Sequence, residues 1–216
     1  RVIMRVISGL FRGKKLLAAD DSITRPTSDR AKEGLFNILN HHLLTLNKSW
    51  SDICFLDVFA GSGSMGIEAY SRGAKRVFLF EKKKQAINCI RQNIRNMPEI
   101  TLISKDACSP ITATYSADVI FFDPPYGKGL WQKSLIEFQK AGWIEKDTLI
   151  VIETDKLIKE DIPTGFELSR SQSYGRNLFL LILYLLLFLL FHDDVHDIGR
   201  LLIDQVFFPC IVREFE

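Results

Sequence analysis

Asp118-Val119-Ile120-Phe121-Phe122-Asp123-Pro124-Pro125-Tyr126 runs apolar for four residues and then stops on a carboxylate, two prolines and an aromatic ring. A short β-branched and aromatic run without polar alternation reads as a strand covered on both faces, the signature of a parallel sheet. Proline cannot continue a central strand, so the strand ends at Phe122. In open α/β sheets ligands bind beyond the carboxyl ends of the strands. The tetrapeptide 123–126 therefore belongs to a reactive rim.

Outward from this stretch the pattern repeats. Short apolar runs predict strands over 54–59, 76–81, 101–104 and 148–153, and amphipathic spacing predicts helices over 64–72, 84–96 and 132–141. Residues 165–173 and 177–184 predict a closing hairpin with Tyr174-Gly175 near its turn. Upstream, residues 4–9 and 15–17 read as a short hairpin joined by glycine-containing turns. Ala31, Leu35, Ile38, Leu39 and Leu43 recur at helical spacing over 29–44, behind Thr27 or Ser28 as N-cap. The fold expected is α/β, Rossmann-like and doubly wound, with a mostly parallel sheet, a closing antiparallel hairpin and an N-terminal β-hairpin extension. Residues 4–184 form one domain, an extension over 4–45 followed by a core over 53–184.

The chain has 216 residues, 47% hydrophobic and 25% charged, a globular rather than disordered composition. Cys54, Cys89, Cys108 and Cys210 are far apart and form no Cys-x-x-Cys pair, which suggests neither a disulfide framework nor a thiolate zinc site. The amino end lacks the basic and apolar regions of an export signal, Met4 reads as the start, and a reducing cytoplasm is the expected compartment. Net charge is +2, yet residues 1–32 carry eight Lys/Arg against three Asp. Arg5, Arg12, Lys14, Lys15, Arg25, Arg30 and Lys32 would attract a polyanion such as RNA, against the plainer reading of a solvated surface.

Gly61-Ser62-Gly63-Ser64-Met65-Gly66 follows one strand and opens a helix, and Glu81 closes the next strand. Such a loop lets backbone approach a ligand, and the acid at the second strand tip can take ribose hydroxyls. NAD and S-adenosylmethionine are served equally well by the loop alone, and a tight structural turn is the plain alternative. Asp57 shifts the balance, because a carboxylate beside this turn repels pyrophosphate but favours an ammonium and a sulfonium; a buried core aspartate is its competing reading. Asp106-Ala107 after the third strand suits adenine recognition, and is also ordinary loop chemistry. The Asp123 carboxylate and the Pro124 carbonyl can accept the two N–H groups of an exocyclic amine, whose lone pair is otherwise delocalised into its ring. Tyr126 offers a stacking face for an extruded base. Together these residues imply methyl transfer to a base amine.

Two segments fit less well. Leu178 to Phe191 is an unbroken apolar run of fourteen residues, too short for a span, and is expected as a buried strand or core segment with membrane attachment disfavoured. His192 and His196 have i, i+4 spacing but lack a third ligand position, so no metal is expected.

Several runs, taken in order, carry a resemblance. They are Met4-Arg5-Val6-Ile7-Ser8-Gly9, Arg25-Pro26-Thr27-Ser28-Asp29-Arg30 ahead of Leu35-Phe36-Asn37-Ile38-Leu39, Asp57-Val58-Phe59-Ala60-Gly61-Ser62-Gly63, Ser71-Arg72-Gly73-Ala74 and Asp123-Pro124-Pro125-Tyr126. Over roughly residues 4–176 the chain resembles the RsmD family of bacterial 16S ribosomal RNA guanine-N2 methyltransferases. The resemblance implies a class I methyltransferase fold, S-adenosylmethionine as cofactor and one guanine of 16S rRNA, in the 30S subunit or its assembly intermediate, as substrate. It implies catalytic Asp123, Pro124 and Tyr126, and a cofactor site of Asp57, Phe59, Ala60, Gly61, Gly63, Glu81, Asp106 and Ala107. Arg12, Lys14, Arg25, Thr27 and Arg30 would face RNA, with no metal and a monomer as the working unit. Members of that family usually end soon after the position of Arg176, so residues 185–216 are expected to lie outside the ancestral domain. Adenine-N6 methylation of DNA, NAD-dependent oxidation and a catalytically silent RNA-binding role are the alternatives.

Overall fold

The computed structural model describes residues 4–18, 27–125, 129–155, 161–175 and 177–184. All of these fall within one structural unit, Arg1–Tyr184. Arg25, Tyr126, the His192/His196 pair and the rest of 185–216 lie outside the described residues.

Strands β1 (Met4–Arg5) and β2 (Lys15–Leu16) pair antiparallel as the expected hairpin. Helix α1 (Asp29–Thr45) follows, its Ala31 amide donating to the Ser28 hydroxyl at 3.2 Å as N-cap. Then come β3 (Cys54–Val58), α2 (Ser64–Ser71), β4 (Arg76–Phe80), α3 (Lys84–Asn93), β5 (Ile100–Ile103), β6 (Val119–Phe122), α4 (Leu130–Lys140), β7 (Leu149–Asp155), β8 (Phe166–Tyr174) and β9 (Asn177–Tyr184). Strands β3 to β9 form one sheet in the order β5-β4-β3-β6-β7-β9-β8, in which β3 to β7 are parallel and β9 runs antiparallel to both β7 and β8. The chain first steps outward from β3 to β4 and β5, then returns to place β6 on the other side of β3. The order reverses there, so the crevice above β3 and β6 is the topological switch point.

Alternate residues along the central strands divide the core. Phe55, Phe121 and Val151 pack with Leu35, Phe36 and Leu39 of α1 and Ile67 of α2. Leu56, Phe122 and Ile152 pack with Trp131, Leu135 and Phe138 of α4. On that second face Phe80 and Phe122 meet Phe138 edge-on, with ring centroids 4.9 and 5.8 Å apart, a geometry favoured by the ring quadrupoles. Coverage of both faces explains why β3 and β6 carry no polar alternation.

Most differences from the sequence reading are at element ends. Phe59 leaves β3 with φ +66°, which ends the strand one residue early. Helix α3 stops at Asn93, three residues short, with Pro98 just ahead disfavouring helical backbone at Met97. Helix α4 starts two residues early because Gly129 adopts the left-handed conformation as its N-cap. Strand β7 starts one residue later than expected and ends two later, because β9 pairs along its whole length from Leu149↔Leu183 to Asp155↔Asn177. The first half of the fourteen-residue apolar run is β9 itself, between β7 and β8.

The hairpin is fastened to α2 by two side chains, Glu68 and Ser71, the latter accepting the Phe11 amide at 2.9 Å. Glu68, fully buried, accepts the Ile7 amide at 2.7 Å, the Ser8 amide at 3.0 Å and Arg72 Nε at 2.8 Å. At the tip, the Leu10 amide donates to the Ser71 carbonyl at 2.7 Å. Gly9 has φ +81°, and a Cβ there would lie 1.8 Å from the Ser71 carbonyl oxygen. Gly9→Ala is expected to cost more than about 1 kcal/mol and to free the tip, read as faster amide exchange at residues 6–14 with the sheet unchanged.

Candidate functional site

The rim is built from the ends of three neighbouring strands. The register pairs Asp57 with Phe121, Val58 with Phe122, and Phe122 with Ile152, so Asp123 and Glu153 come next on adjacent strands. Asp57, Asp123 and Glu153 follow the alternation of Phe121 and Val151, which places all three on the α1/α2 face. The Asp123 amide is tied back to the Val58 carbonyl at 3.4 Å.

The glycine loop after β3 supplies the second wall. Gly61 (φ +56°) and Gly63 (φ +77°) both adopt backbone that β-carbons disfavour, and Gly63 caps α2. A Cβ on Gly61 would meet nothing closer than 4.0 Å, which leaves open space over this backbone. Gly66 instead serves packing, since a Cβ there would lie 2.3 Å from Leu79 Cδ2 and 2.9 Å from Val77 Cγ1, and its absence lets α2 lie close on β4. Gly66→Ala should cost roughly 1–3 kcal/mol by overpacking, measurable as a lower urea midpoint.

Several predicted side chains are engaged within the protein. Asp57, 2% exposed, accepts the Gly66 amide at 2.9 Å, the geometry of the core-aspartate reading. Glu81 accepts the Gly61, Lys82 and Lys83 amides, each at 2.8 Å, and so braces the glycine loop. A carboxylate has about four lone-pair sites, which leaves one free. Asp106 accepts Lys82 Nζ at 2.8 Å and the Cys108 amide at 2.9 Å, with Ala107 buried beside it. Pro124 is buried and Pro125 exposed.

Burial dominates the electrostatics of the acidic trio. It pushes the Asp57 carboxyl up to about 7, against the lowering effect of the Gly66 amide. It raises Glu153 to about 7 despite hydrogen bonds from Thr27 and Asn177. Asp123 is raised well above the usual carboxylate range, by burial first and then by the charges of Glu153 and Asp57. Each folded value lies above the unfolded value of about 4, so the stability these groups contribute is present at acid pH and is lost as pH rises toward 7. The melting temperature is therefore expected to fall between pH 5 and 8, with a shallower slope in Asp57→Asn.

The basic segment is only partly gathered at this rim. Arg12 is exposed at the hairpin tip, beside the carboxyl end of α2 and about 12 Å along that eight-residue helix from the glycine loop. Lys14 Nζ sits 5.7 Å over the Phe11 ring. Arg30 is exposed in the first turn of α1, whereas the Thr27 hydroxyl donates to Glu153 at 2.8 Å. Lys32 is not a surface cation: it is 2% exposed, donates to the Arg5 carbonyl at 2.7 Å and the Ser64 hydroxyl at 3.0 Å, and burial lowers its pKa. Sequence reasoning left Glu153 without a role and missed Glu68, although Glu68 and Arg72 at i, i+4 were a legible pairing signal.

Among the described residues no group of three His, Cys, Asp or Glu is arranged to hold a metal, and no helix is long and apolar enough to cross a membrane. The profile of the family described as conserved hypothetical protein 95 matches residues 4–183. The chain belongs to this family, the RsmD family. Ribosomal RNA small subunit methyltransferase D of Haemophilus influenzae is 32% identical over 179 residues, covering 80% of this chain and 89% of that protein. Its Escherichia coli counterpart is 30% identical over 164 residues, covering 74% and 78%. Among solved structures, Escherichia coli yhhF superposes with a TM-score of 0.70 at 27% identity, covering 85% of this chain and 98% of that one. The ribosomal protein L11 methylase of Lactobacillus delbrueckii subsp. bulgaricus, 16% identical with a TM-score of 0.53, shares the fold alone. The RsmD-family chain thus has the Rossmann-like class I methyltransferase fold.

Proposed function

We propose that this chain transfers a methyl group from S-adenosylmethionine to the exocyclic N2 amine of one guanine in 16S rRNA, in the 30S subunit or an assembly intermediate. The observation that carries the reading is the juxtaposition, at one switch point, of the glycine loop leading into α2 and the Asp123-Pro124 pair in an RsmD-family chain whose relatives are named for small-subunit ribosomal RNA methylation. The open face of Gly61 fits a cofactor approaching backbone, in line with Phe59 and Ala60 in the same turn. Glu81 has acceptor capacity left for ribose hydroxyls, Asp106 and Ala107 border the adenine end, and Asp57 stiffens the loop from below. Bound there, the cofactor supplies an electrophilic methyl on a sulfonium.

The chain's own work is positioning. In its ionised form the Asp123 carboxylate accepts one N–H of the amine, and the Pro124 carbonyl accepts the other. Two acceptors turn the nitrogen away from the ring plane and present its lone pair to the methyl group. Pro124 and Pro125 contribute no competing N–H, and their fixed φ keeps the carbonyl in place. Tyr126 stacks the extruded base. Arg12, Lys14, Arg25 and Arg30 supply the phosphate-facing charge, and Thr27 lines the entrance. We place the activity in domain 4–184, acting as a cytoplasmic monomer without metal.

Labelled methyl transfer tests the substrate: undermethylated 30S subunits should be labelled and duplex DNA should not. Preferential labelling of duplex DNA would favour the adenine-N6 reading, and tighter binding of NAD than of S-adenosylmethionine would favour an oxidoreductase.

A further inference from the structure

Glu153 stands out among the groups that the proposed mechanism leaves unused. It is a carboxylate, 2% exposed, at the end of a central strand. Burying such a group is costly unless its oxygens are satisfied, and here each oxygen is used by a different part of the chain. Oε2 accepts the hydroxyl of Thr27, the residue that leads into the Ser28 cap of α1, and Oε1 accepts the side-chain amide of Asn177, at the start of β9. One side chain thus joins Thr27 ahead of α1, Asn177 at the start of β9 and the rim strand β7. On the neighbouring strand it stands level with Asp123 and on the same face of the sheet. Parallel strands lie about 4.8 Å apart.

We propose that Glu153 is a positioning residue for Asp123: it clasps Thr27 and Asn177 against the rim and, through its own charge, sets how readily Asp123 accepts a hydrogen bond from the bound amine. The catalytic half of this statement rests on the reading of Asp123 as an amine acceptor. Among the described residues, the charged groups that bear on the Asp123 carboxyl are Glu153 on β7 and Asp57 on β3, both acidic. Thr27 and Asn177, which contact Glu153, are neutral. No described cation offsets the pair, so an ionised Glu153 opposes ionisation of Asp123. Thr27 and Asn177 favour that ionised form, because their hydrogen bonds stabilise the Glu153 carboxylate. Any change that loosens the Thr27 segment would thereby alter the charge state of the pair, which links the seating of the entrance to the chemistry at Asp123.

The test separates charge from clasp with two variants of the full chain. In Glu153→Gln the neighbouring charge is gone, and the carboxyl midpoint of Asp123, followed by carbon NMR with labelled aspartate, should fall by about one pH unit or more. In Glu153→Asp the charge remains on a shorter arm. The Asp123 midpoint should then stay high, while amide exchange at residues 27–31 quickens and KM for 30S subunits rises at least fivefold. S-adenosylmethionine affinity should stay within about twofold in both. An unchanged midpoint in Glu153→Gln overturns the proposal, as does unchanged exchange at 27–31 in Glu153→Asp. If the midpoint falls in Glu153→Gln but the acid limb of kcat/KM does not follow it, the acceptor role of Asp123 fails while the coupling to Glu153 stands.

Discussion

Replacing Asp123 with alanine is expected to lower methyl transfer to 30S subunits by about a thousandfold or more, with S-adenosylmethionine affinity changed less than about threefold. The size follows from what the side chain does. An aromatic amine is a poor nucleophile until its N–H groups are held, and losing one preorganised hydrogen-bonding partner typically costs 10²–10³ in rate. Asp123 also orients the amine toward the methyl group, and misplacement at a reacting centre is separately costly. The cofactor contacts assigned here lie on other elements, the loop after β3 and the tips of β4 and β5, so binding should survive. The wild-type rate carries its own signature. Since Asp123 is raised well above the usual carboxylate range, its acceptor form builds up only as pH rises, and activity should increase with pH at values where an ordinary aspartate is already fully ionised. Asp123→Asn should lose that acid limb. Turnover within tenfold of wild type in Asp123→Ala would remove the residue from the mechanism.

The largest stability effect is expected at Glu68. Glu68→Ala removes a fully buried carboxylate that receives two backbone amides of the N-terminal hairpin and the Arg72 guanidinium. The Ile7 and Ser8 amides are left without their acceptor, and Arg72, whose side chain is only 8% exposed, loses its counter-ion. Breaking a buried pair from one side typically costs about 3–5 kcal/mol, equivalent to roughly 10 °C in melting temperature for a domain of this size. Residues 4–17 should lose exchange protection first, because Glu68 binds their backbone. Lys32 and Asn93 hold the same extension elsewhere, Asn93 through Leu17 and the Ser62 carbonyl, so the sheet should persist at moderate temperature. A melting temperature within about 2 °C of wild type would show that the hairpin is held by other contacts.

The parts of this fold that were legible in the sequence are those where local pattern and tertiary environment agree. Val119 to Phe122 is apolar at every position because α1 and α4 cover opposite faces of β6, and two prolines end it where the sheet ends. Two glycines between a strand and a helix, Gly61 and Gly63, mark a loop that departs from ordinary backbone. Polar groups whose partners come from distant segments were illegible. Glu153 meets Thr27 across 126 positions and Asn177 across 24, a meeting that exists only once β9 has paired with β7. Lys32 reads as one more cation in a basic stretch because nothing local shows that α1 turns it inward toward Ser64. Asp57 carried two readings, and its contact with the Gly66 amide is a tertiary one that the sequence does not show. Phe59 reads as the last residue of a strand, since an aromatic after Val58 gives no hint of its left-handed backbone.

The central claim is met most directly by incubating the full chain with labelled S-adenosylmethionine and undermethylated 30S subunits, digesting the RNA to nucleosides and identifying the labelled product by mass spectrometry. A single labelled nucleoside, N2-methylguanosine, is the expected product, absent when Asp123→Ala replaces the wild type. Label in any other nucleoside, or none from a folded chain that binds the cofactor, would contradict the proposed function.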